Sequence, residues 1–106
     1  MKFLKLNEVT YTPSRLMSDL LGDRTIDHGG VYVFEPGEIA HPEARHVHDT
    51  AEIFIFVQGQ GVIPIDGTEY PVETGDVVVV EAGEDHHLRS SEDDPLVSVW
   101  YILASG

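Results

Sequence analysis

Most of the sequence, from Gly30 onward, is a succession of short apolar segments separated by turn residues. Asp66-Gly67, between two of these segments, predicts a hairpin, because a type I′ turn needs positive φ at both central positions. Segments this short and closely spaced favour an antiparallel sandwich or barrel over a parallel α/β sheet, so we predict an all-β fold. The candidate strands are rich in Val, Ile, Phe and Tyr and cover residues 31–35, 45–57, 61–65, 68–72, 77–81, 86–90 and 96–103.

One helix signal precedes the strands. Thr12 can cap a helix, Pro13 suits its first position, and Gly22 can end it. An apolar stripe on one face of this short N-terminal helix would be formed by Leu16, Met17, Leu20 and Leu21. No change of composition and no linker divides the 106 residues, so we predict that residues 1–106 form a single domain.

Charge and cysteine content exclude several functions. The chain has no cysteine, so a disulfide framework, a thiolate zinc site and a thiol nucleophile are all excluded. The formal net charge is −13, which disfavours binding to nucleic acid or to an anionic membrane surface. Apolar runs fall far short of the ~20 residues that a membrane span needs. We therefore expect a cytoplasmic protein whose partners do not include nucleic acid or a membrane.

A group of metal-ligand side chains stands in the second candidate strand. In a continuous strand His46, His48 and Glu52 would share one face, because side chains alternate along a strand. Phe54 and Phe56 lie on the same face, which indicates that it points into an apolar interior. A carboxylate there needs compensation, and a divalent cation would supply it. Imidazole and carboxylate ligands suit iron, manganese, nickel, copper or zinc.

A second polar cluster, Gly83-Glu84-Asp85-His86-His87, follows the apolar run 77–80. Adjacent residues of a strand point to opposite faces, so only one of the two histidines can complete the site. The residues themselves do not decide between His86 and His87.

The spacing of these residues resembles that of the cupin superfamily, whose barrels carry two short motifs. The first motif has His-x-His, three or four residues, glutamate, six residues and glycine; here it reads His46-Val47-His48, three residues, Glu52, six residues, Gly59. The second has glycine, five residues, Pro-x-Gly, two residues and histidine; here it reads Gly75, five residues, Glu81-Ala82-Gly83, two residues, His86. Together with Gly37, which precedes the first motif, both motifs lie within residues 37–90.

The resemblance implies a double-stranded β-helix, or jelly-roll barrel, with one divalent metal ion inside it. The implied ligands are His46, His48, Glu52 and His86, which selects His86 over His87. One or two coordination positions would remain for water, substrate or dioxygen.

Three departures from the family pattern leave the ligand positions untouched. In the family, the first motif begins with a glycine that five residues separate from His-x-His. Here eight residues separate Gly37 from His46, so the loop that contains His41 is longer than usual. Glu81 replaces the proline of the second motif. Ser90 replaces the asparagine that ends this motif and that three residues separate from its histidine.

Other side chains are candidates for catalysis or substrate binding. His41 is a candidate metal ligand or acid–base group, with an ordinary loop position as the alternative. Tyr32 and Tyr101 are further candidates for proton transfer. Four aromatic residues are candidates to line a pocket, with ordinary core packing as the alternative: Tyr32, Phe34, Phe54 and Trp100.

The opposite face of the strand that carries the ligands is also apolar, since it presents Ile53, Ile55 and Val57. A strand that is apolar on both faces is covered on both. We therefore predict a homodimer that buries this surface.

The sequence leaves the function open between two classes. The preferred hypothesis is a metal-binding protein that binds or transforms a small polar organic molecule, such as a sugar or a small acid. As an enzyme it would be a dioxygenase, which needs two neighbouring open coordination positions, or an isomerase, lyase or cyclase, which needs a Lewis acid and a proton shuttle. The alternative is a non-catalytic module that binds a small molecule or a metal.

Overall fold

The structure, a computed structural model, describes residues 1–8, 20–41, 43 and 46–104. Five of the strands in this part of the chain form one antiparallel sheet, in the order β1-β7-β4-β9-β2, and four form a second, in the order β3-β8-β5-β6. The predicted all-β architecture is confirmed. The strands are β1 (Lys2–Lys5), β2 (Thr25–Val33), β3 (Ile39–Ala40), β4 (Glu52–Gln58), β5 (Gln60–Ile65), β6 (Thr68–Glu73), β7 (Asp76–Val80), β8 (Leu88–Ser90) and β9 (Val97–Ala104).

The core lies between the two sheets. Residues that alternate along the strands point inward from both sheets and pack together. The first sheet contributes Phe54, Phe56, Val78 and Val80, and the second contributes Ile63, Ile65, Val72 and Leu88. Glu52 is buried on the same inner face of β4 as Phe54 and Phe56, as the sequence predicts.

The candidate strand over residues 45–57 is confirmed only in its second half, because β4 begins at Glu52. The carbonyls of His46 and His48 accept hydrogen bonds from the amides of His86 and Gly83, which belong to the turn after β7. The carbonyls of His46 and His48 are therefore bonded to a turn, whereas the carbonyl of Ala51, directly before β4, accepts a hydrogen bond from Leu103 of β9.

Other strand boundaries also differ from the prediction. β1 and β3 are not predicted, and β2 begins at Thr25, six residues before the expected start at residue 31. The Gly29-Gly30 pair resembles a strand break but lies inside β2. A side chain at Gly29 would place its Cβ 2.4 Å from the carbonyl oxygen of Trp100, so close contact with β9 requires glycine there.

The hairpin between β5 and β6 is confirmed, since Asp66 and Gly67 both have positive φ. Most of the predicted N-terminal helix, residues 12–19, lies outside the described residues. Leu20 and Leu21, at its expected end, have helical conformation, and Gly22 follows with a φ of 62°. Within the described ranges, we find no helix that is long and apolar enough to cross a membrane.

The outer face of the first sheet is covered largely by the chain itself. Ile53 is fully buried in a second apolar cluster, where it is joined by Leu20, Ala51, Val77, Val79 and Leu103. Leu4 of β1 and Ile55 pack against this cluster, whereas Val57 is 49% exposed. The apolar outer face of β4 thus needs a partner subunit only near Val57, and the homodimer stays a prediction.

Candidate metal centre

Two segments that are distant in sequence meet at the start of β4. The amide of His86 donates to the carbonyl of His46, and the amide of Gly83 donates to the carbonyl of His48, each at 3.0 Å. The amide of His46 in turn donates to the carboxylate of Asp85 at 2.7 Å. These bonds fix the backbone at His46 and His48 against the turn that carries His86.

The four predicted ligands converge at this point and are called the imidazole–carboxylate cluster below: His46, His48, Glu52 and His86. Nε2 of His46 lies 3.1 Å from Nε2 of His48. Oε1 of Glu52 lies 3.2 Å from Nε2 of His48 and 3.1 Å from Nε2 of His86. The donor atoms of His48, Glu52 and His86 all lie within 4.8 Å of one another, so this group could hold a metal ion.

The Nδ1 atoms of two cluster histidines, which point away from the other donors, have hydrogen-bond partners. Nδ1 of His86 donates to the carbonyl of Glu84 at 3.1 Å, and Nδ1 of His46 lies 2.5 Å from the carboxylate of Glu43. A carbonyl only accepts, so Nδ1 of His86 carries the hydrogen, and Nε2 offers a lone pair when the ring is neutral. Metal-binding histidines are held in this way. The donor set therefore fits a divalent transition metal.

The pKa values of two cluster histidines are shifted in opposite directions. Burial, together with the neighbouring His86 and His46, lowers the pKa of His48 in spite of Glu52. Burial also opposes a charge on His86, but its hydrogen bonds to Glu52 and to the Glu84 carbonyl outweigh burial and raise its pKa. The Glu52 carboxylate thus favours a positive charge on His86, which is the charge that a bound cation would replace.

His41 lies directly against the cluster. Its ring stacks on that of His46, with centroids 3.6 Å apart and planes 9° apart, and its centroid is 5.8 Å from that of His86. Burial, reinforced by the neighbouring His46 and His86, lowers the pKa of His41 to about 4. The ring is therefore neutral at neutral pH.

His87 points away from the cluster, as its parity with His86 predicts, but it is not a freely solvated residue. Its Nδ1 donates to the carbonyl of His41 at 2.7 Å, and its Nε2 lies 3.0 Å from the carboxylate of Asp85. His87 thereby connects the loop that carries His41 to the turn that carries His86.

A cavity of about 260 Å³ adjoins the cluster. Its wall is mostly apolar, and its polar side chains include two members of the cluster, His48 and Glu52. All four aromatic residues predicted to line a pocket do line it. The lining comprises His28, Tyr32, Phe34, Ala40, His41, His48, Glu52, Phe54, Leu88, Ser98, Trp100 and Ile102.

Strand pairing explains which residues face the cavity. Glu52, Ile102 and His28 form one row across β4, β9 and β2, because Ile102 is paired with both of the others. Neighbouring strands are about 4.8 Å apart, so the backbone of His28 stands about 10 Å from that of Glu52. The register of β2 shifts between Ile26 and His28, and such a bulge redirects the side chains that follow it.

His28 is a cavity residue that the sequence reasoning missed. Its Nδ1 lies 2.6 Å from the carboxylate of Asp27, and its ring makes an edge contact with Trp100 at 5.6 Å between centroids. His28 and Tyr32 are both even-numbered positions of β2 and therefore share one face of the strand. The sequence does not reveal this, because the predicted strand begins only at residue 31.

The two predicted tyrosines occupy different surroundings. The hydroxyl of Tyr32 donates to the carboxylate of Glu38, and this bond raises the pKa of Tyr32. Tyr101 points to the other face of β9, where it packs against the outer apolar cluster of Ile53, and it is not among the residues that line the cavity. His41 is the predicted proton-transfer candidate that touches the cluster.

Two antiparallel sheets with an imidazole–carboxylate cluster between them define a small jelly-roll barrel with an internal polar site. The chain belongs to the cupin family, since residues 30–102 match the model of the cupin domain. The predicted superfamily and its barrel fold are confirmed.

Solved structures share this fold at low sequence identity. KdgF from a Halomonas species is 22% identical, with a TM-score of 0.58 over 74% of this chain and 76% of that chain. A conserved protein of unknown function from Streptococcus pyogenes is 21% identical, with a TM-score of 0.58 over 72% of this chain and 63% of that chain. A mutant salicylate 1,2-dioxygenase from Pseudoaminobacter salicylatoxidans, in complex with gentisate, is 17% identical, with a TM-score of 0.60 over 68% of this chain but only 18% of that chain. At these identities the likeness extends to the fold alone.

Proposed function

We propose that this cupin domain binds or transforms a small polar organic molecule at a mononuclear divalent metal ion. One observation carries the proposal: nitrogen and oxygen donors of His48, Glu52 and His86 lie within 4.8 Å of one another, and two of these residues, His48 and Glu52, line a cavity of about 260 Å³. His46 would be the fourth ligand. A bound ion would act as a Lewis acid on an oxygen atom of the ligand or as a meeting point for the ligand and dioxygen.

The cavity supports a small ligand with a polar end and a flat apolar body. The polar end would lie at the imidazole–carboxylate cluster, and the body would lie against Phe54 and Trp100, whose rings line the wall. A small unsaturated or aromatic acid has this shape, and a sugar can also present one apolar face to an indole ring. One structural neighbour, the mutant salicylate 1,2-dioxygenase, is bound to a small aromatic acid of this kind, gentisate.

His28 favours an enzyme over a passive binding module. It lines the cavity about 10 Å from Glu52 across one intervening strand. The Asp27 carboxylate holds its Nδ1, so Nε2 remains to give or take a proton at the far end of a bound molecule. A metal at one end and an acid–base group at the other suit an isomerase, lyase or cyclase.

The experiment begins with metal content and continues with ligands. The protein is purified without a metal-binding tag, analysed for bound metal, and then titrated with iron(II), manganese, nickel, copper or zinc while its thermal stability is followed. We expect close to one equivalent of metal and a rise in Tm. Less than a tenth of an equivalent, together with no rise in Tm for any of these ions, would rule out the metal centre.

The loaded protein then separates the remaining alternatives. Oxygen consumption with small acids as candidate substrates identifies a dioxygenase. Turnover that consumes no oxygen, and that is lost in the His28→Gln variant, identifies an isomerase, lyase or cyclase. A rise in Tm with a small molecule but without turnover supports the non-catalytic binding module.

A further inference from the structure

We propose that His41 binds the organic molecule and not the metal ion: a nitrogen of its ring hydrogen-bonds an oxygen atom of the molecule that occupies the cavity beside the metal centre. The inference rests on the proposed function and names a residue that contacts the polar end of that molecule. It gives a role to a histidine that the four-ligand centre does not use.

The stacking of His41 on His46 excludes a shared ion. The ring centroids are 3.6 Å apart, and the planes differ by only 9°. The lone pair of an imidazole nitrogen lies in the plane of its ring, so an ion bound by His46 lies in the plane of that ring. The plane of His41 is parallel to it and passes beside the ion. His41 can therefore serve only the space next to the ion.

A molecule in the cavity would meet the metal centre in that space. A ring nitrogen of His41 lies within 4.8 Å of ring nitrogens of His46 and His86, so it is close to the ligand atoms. His41 lines the cavity together with His48 and Glu52. Once the ion occupies the donor atoms of His48 and Glu52, His41 is the residue of these three that still offers a polar atom to the molecule.

The ring nitrogens of His41 are available for such a contact. Within the part of the chain that the structure describes, no group hydrogen-bonds to them, whereas Nδ1 of His46 and Nδ1 of His86 both have partners. A neutral imidazole has one donor and one acceptor nitrogen, so it can donate to a carboxylate or accept from a hydroxyl. The class of molecule that fits is a small acid or hydroxy compound with a second oxygen atom next to the one at the ion.

The backbone of His41 is held in a conformation that keeps its ring at this place. Its φ is 60°, a left-handed value that few residues other than glycine adopt and that persists where surrounding contacts enforce it. Nδ1 of His87 donates to the His41 carbonyl at 2.7 Å. Immediately beside this bond, Ala40 of β3 pairs with Leu88 of β8. The ring is thus positioned before a molecule binds.

The test uses two variants that separate stacking from hydrogen bonding. His41→Phe keeps a flat ring that can stack on His46 but has no nitrogen, and His41→Gln keeps a hydrogen-bonding group. Salicylate is the probe, because it is a flat aromatic acid with a hydroxyl beside its carboxylate. Calorimetry measures its affinity for the zinc-loaded protein, and competition with a chelator measures the affinity for zinc.

The two affinities should respond differently. His41→Phe should keep the zinc affinity of the wild-type protein and should bind salicylate about 10-fold more weakly, the effect of one lost hydrogen bond. His41→Gln should recover part of this loss. An unchanged zinc affinity is not expected from a variant that loses a metal ligand or its fold.

The matched control is Ile39→Phe, which introduces the same side chain at an exposed position two residues earlier. It should keep both affinities. Metal-free wild-type protein is the control for binding at the ion and should bind salicylate only weakly.

Four results would overturn the role of His41 while leaving the metal centre intact. Three concern salicylate: wild-type affinity in His41→Phe, equal affinity with and without zinc, or no binding to the zinc-loaded wild-type protein. The fourth is a loss of zinc affinity in His41→Phe, which would make His41 a metal ligand. Failure of the wild-type protein to bind zinc would instead overturn the proposed function itself.

Discussion

The backbone amide of His86 donates a hydrogen bond to the carbonyl of His46 at 3.0 Å. This bond joins the two sequence motifs directly, although the whole β5–β6 hairpin separates them in the chain. The distances between the donor atoms are therefore determined by the backbone and by anchored Nδ1 atoms, and only to a small degree by flexible side chains. A cluster supported in this way is organised before a ligand arrives.

Replacement of Glu52 by glutamine should abolish most of the metal-induced stabilisation. Glu52 is the carboxylate that contacts both His48 and His86, and glutamine keeps its shape but loses its charge. A metal ion at 100 times its Kd stabilises a protein by about 2.7 kcal/mol, which for a domain of this size is on the order of 10 °C in Tm. Differential scanning calorimetry with and without zinc measures the effect.

Glu69→Gln is the matched control for this substitution. Glu69 is an exposed residue of β6 that pairs with Arg89 on the surface. Its variant should keep the whole zinc-dependent shift. An undiminished shift in Glu52→Gln would show that the carboxylate is not a ligand.

The sequence predicted the members of the cluster better than it predicted how they are arranged. Residue type and spacing identified His46, His48, Glu52 and His86, and the structure brings all four together. The expectation of a continuous strand was wrong, however, because β4 begins only at Glu52 and the carbonyls of His46 and His48 are bonded to a turn. The alternation of side chains along a strand cannot predict hydrogen bonds to a distant turn. The spacing of a family motif can identify the ligands even where the backbone is not a strand.

Residues outside the motifs were harder to predict because tertiary contacts decide their place. His28 was missed since the Gly29-Gly30 pair resembles a break, yet Gly29 is needed there for close contact with β9. The outer face of β4 was assigned to a partner subunit since β1, which brings Leu4 to that face, has no strong strand signal. In both cases a local pattern was overridden by a contact with a distant segment.

Ser90, which stands in place of the usual asparagine of the second motif, should contribute to stability and not to metal binding. Its buried hydroxyl accepts the amide hydrogen of the fully buried Leu96 at 2.9 Å. Ser90→Ala leaves that amide without its partner, at a cost of about 1–3 kcal/mol. Urea denaturation should show a lower midpoint, and the zinc-dependent shift should stay the same.

The control for Ser90 is Thr68→Ala, at an exposed position at the start of β6. It should leave the urea midpoint nearly unchanged. Equal midpoints for Ser90→Ala and the wild-type protein would contradict a structural role for the Ser90 hydroxyl.

Gly30 should keep the cavity open. A Cβ at this position would lie 3.3 to 3.4 Å from indole atoms of Trp100, which lines the cavity. Gly30→Val should push the indole out of place without touching the cluster. Trp100 is the single tryptophan of the chain, so its fluorescence and its quenching by acrylamide report the change.

The zinc-dependent rise in Tm shows whether Gly30→Val acts only near Trp100 or unfolds the protein. Gly30→Val should keep the zinc-dependent rise in Tm, and Thr25→Val, at the exposed start of the same strand, should keep wild-type fluorescence as well. Unchanged emission and quenching in Gly30→Val would show that the indole does not rest on Gly30.

The predicted homodimer should form through the uncovered end of the first sheet. β2 is the edge strand of that sheet, and its Val31 and Val33 are 63% and 70% exposed. Together with Val57, they form an apolar surface that a second copy of the chain would cover, and an unprotected edge strand readily pairs with another. Val33→Lys should convert the dimer to a monomer in sedimentation experiments. Ile39→Lys, at an exposed position of the other sheet, should stay dimeric, and a monodisperse wild-type monomer at micromolar concentration would contradict the prediction.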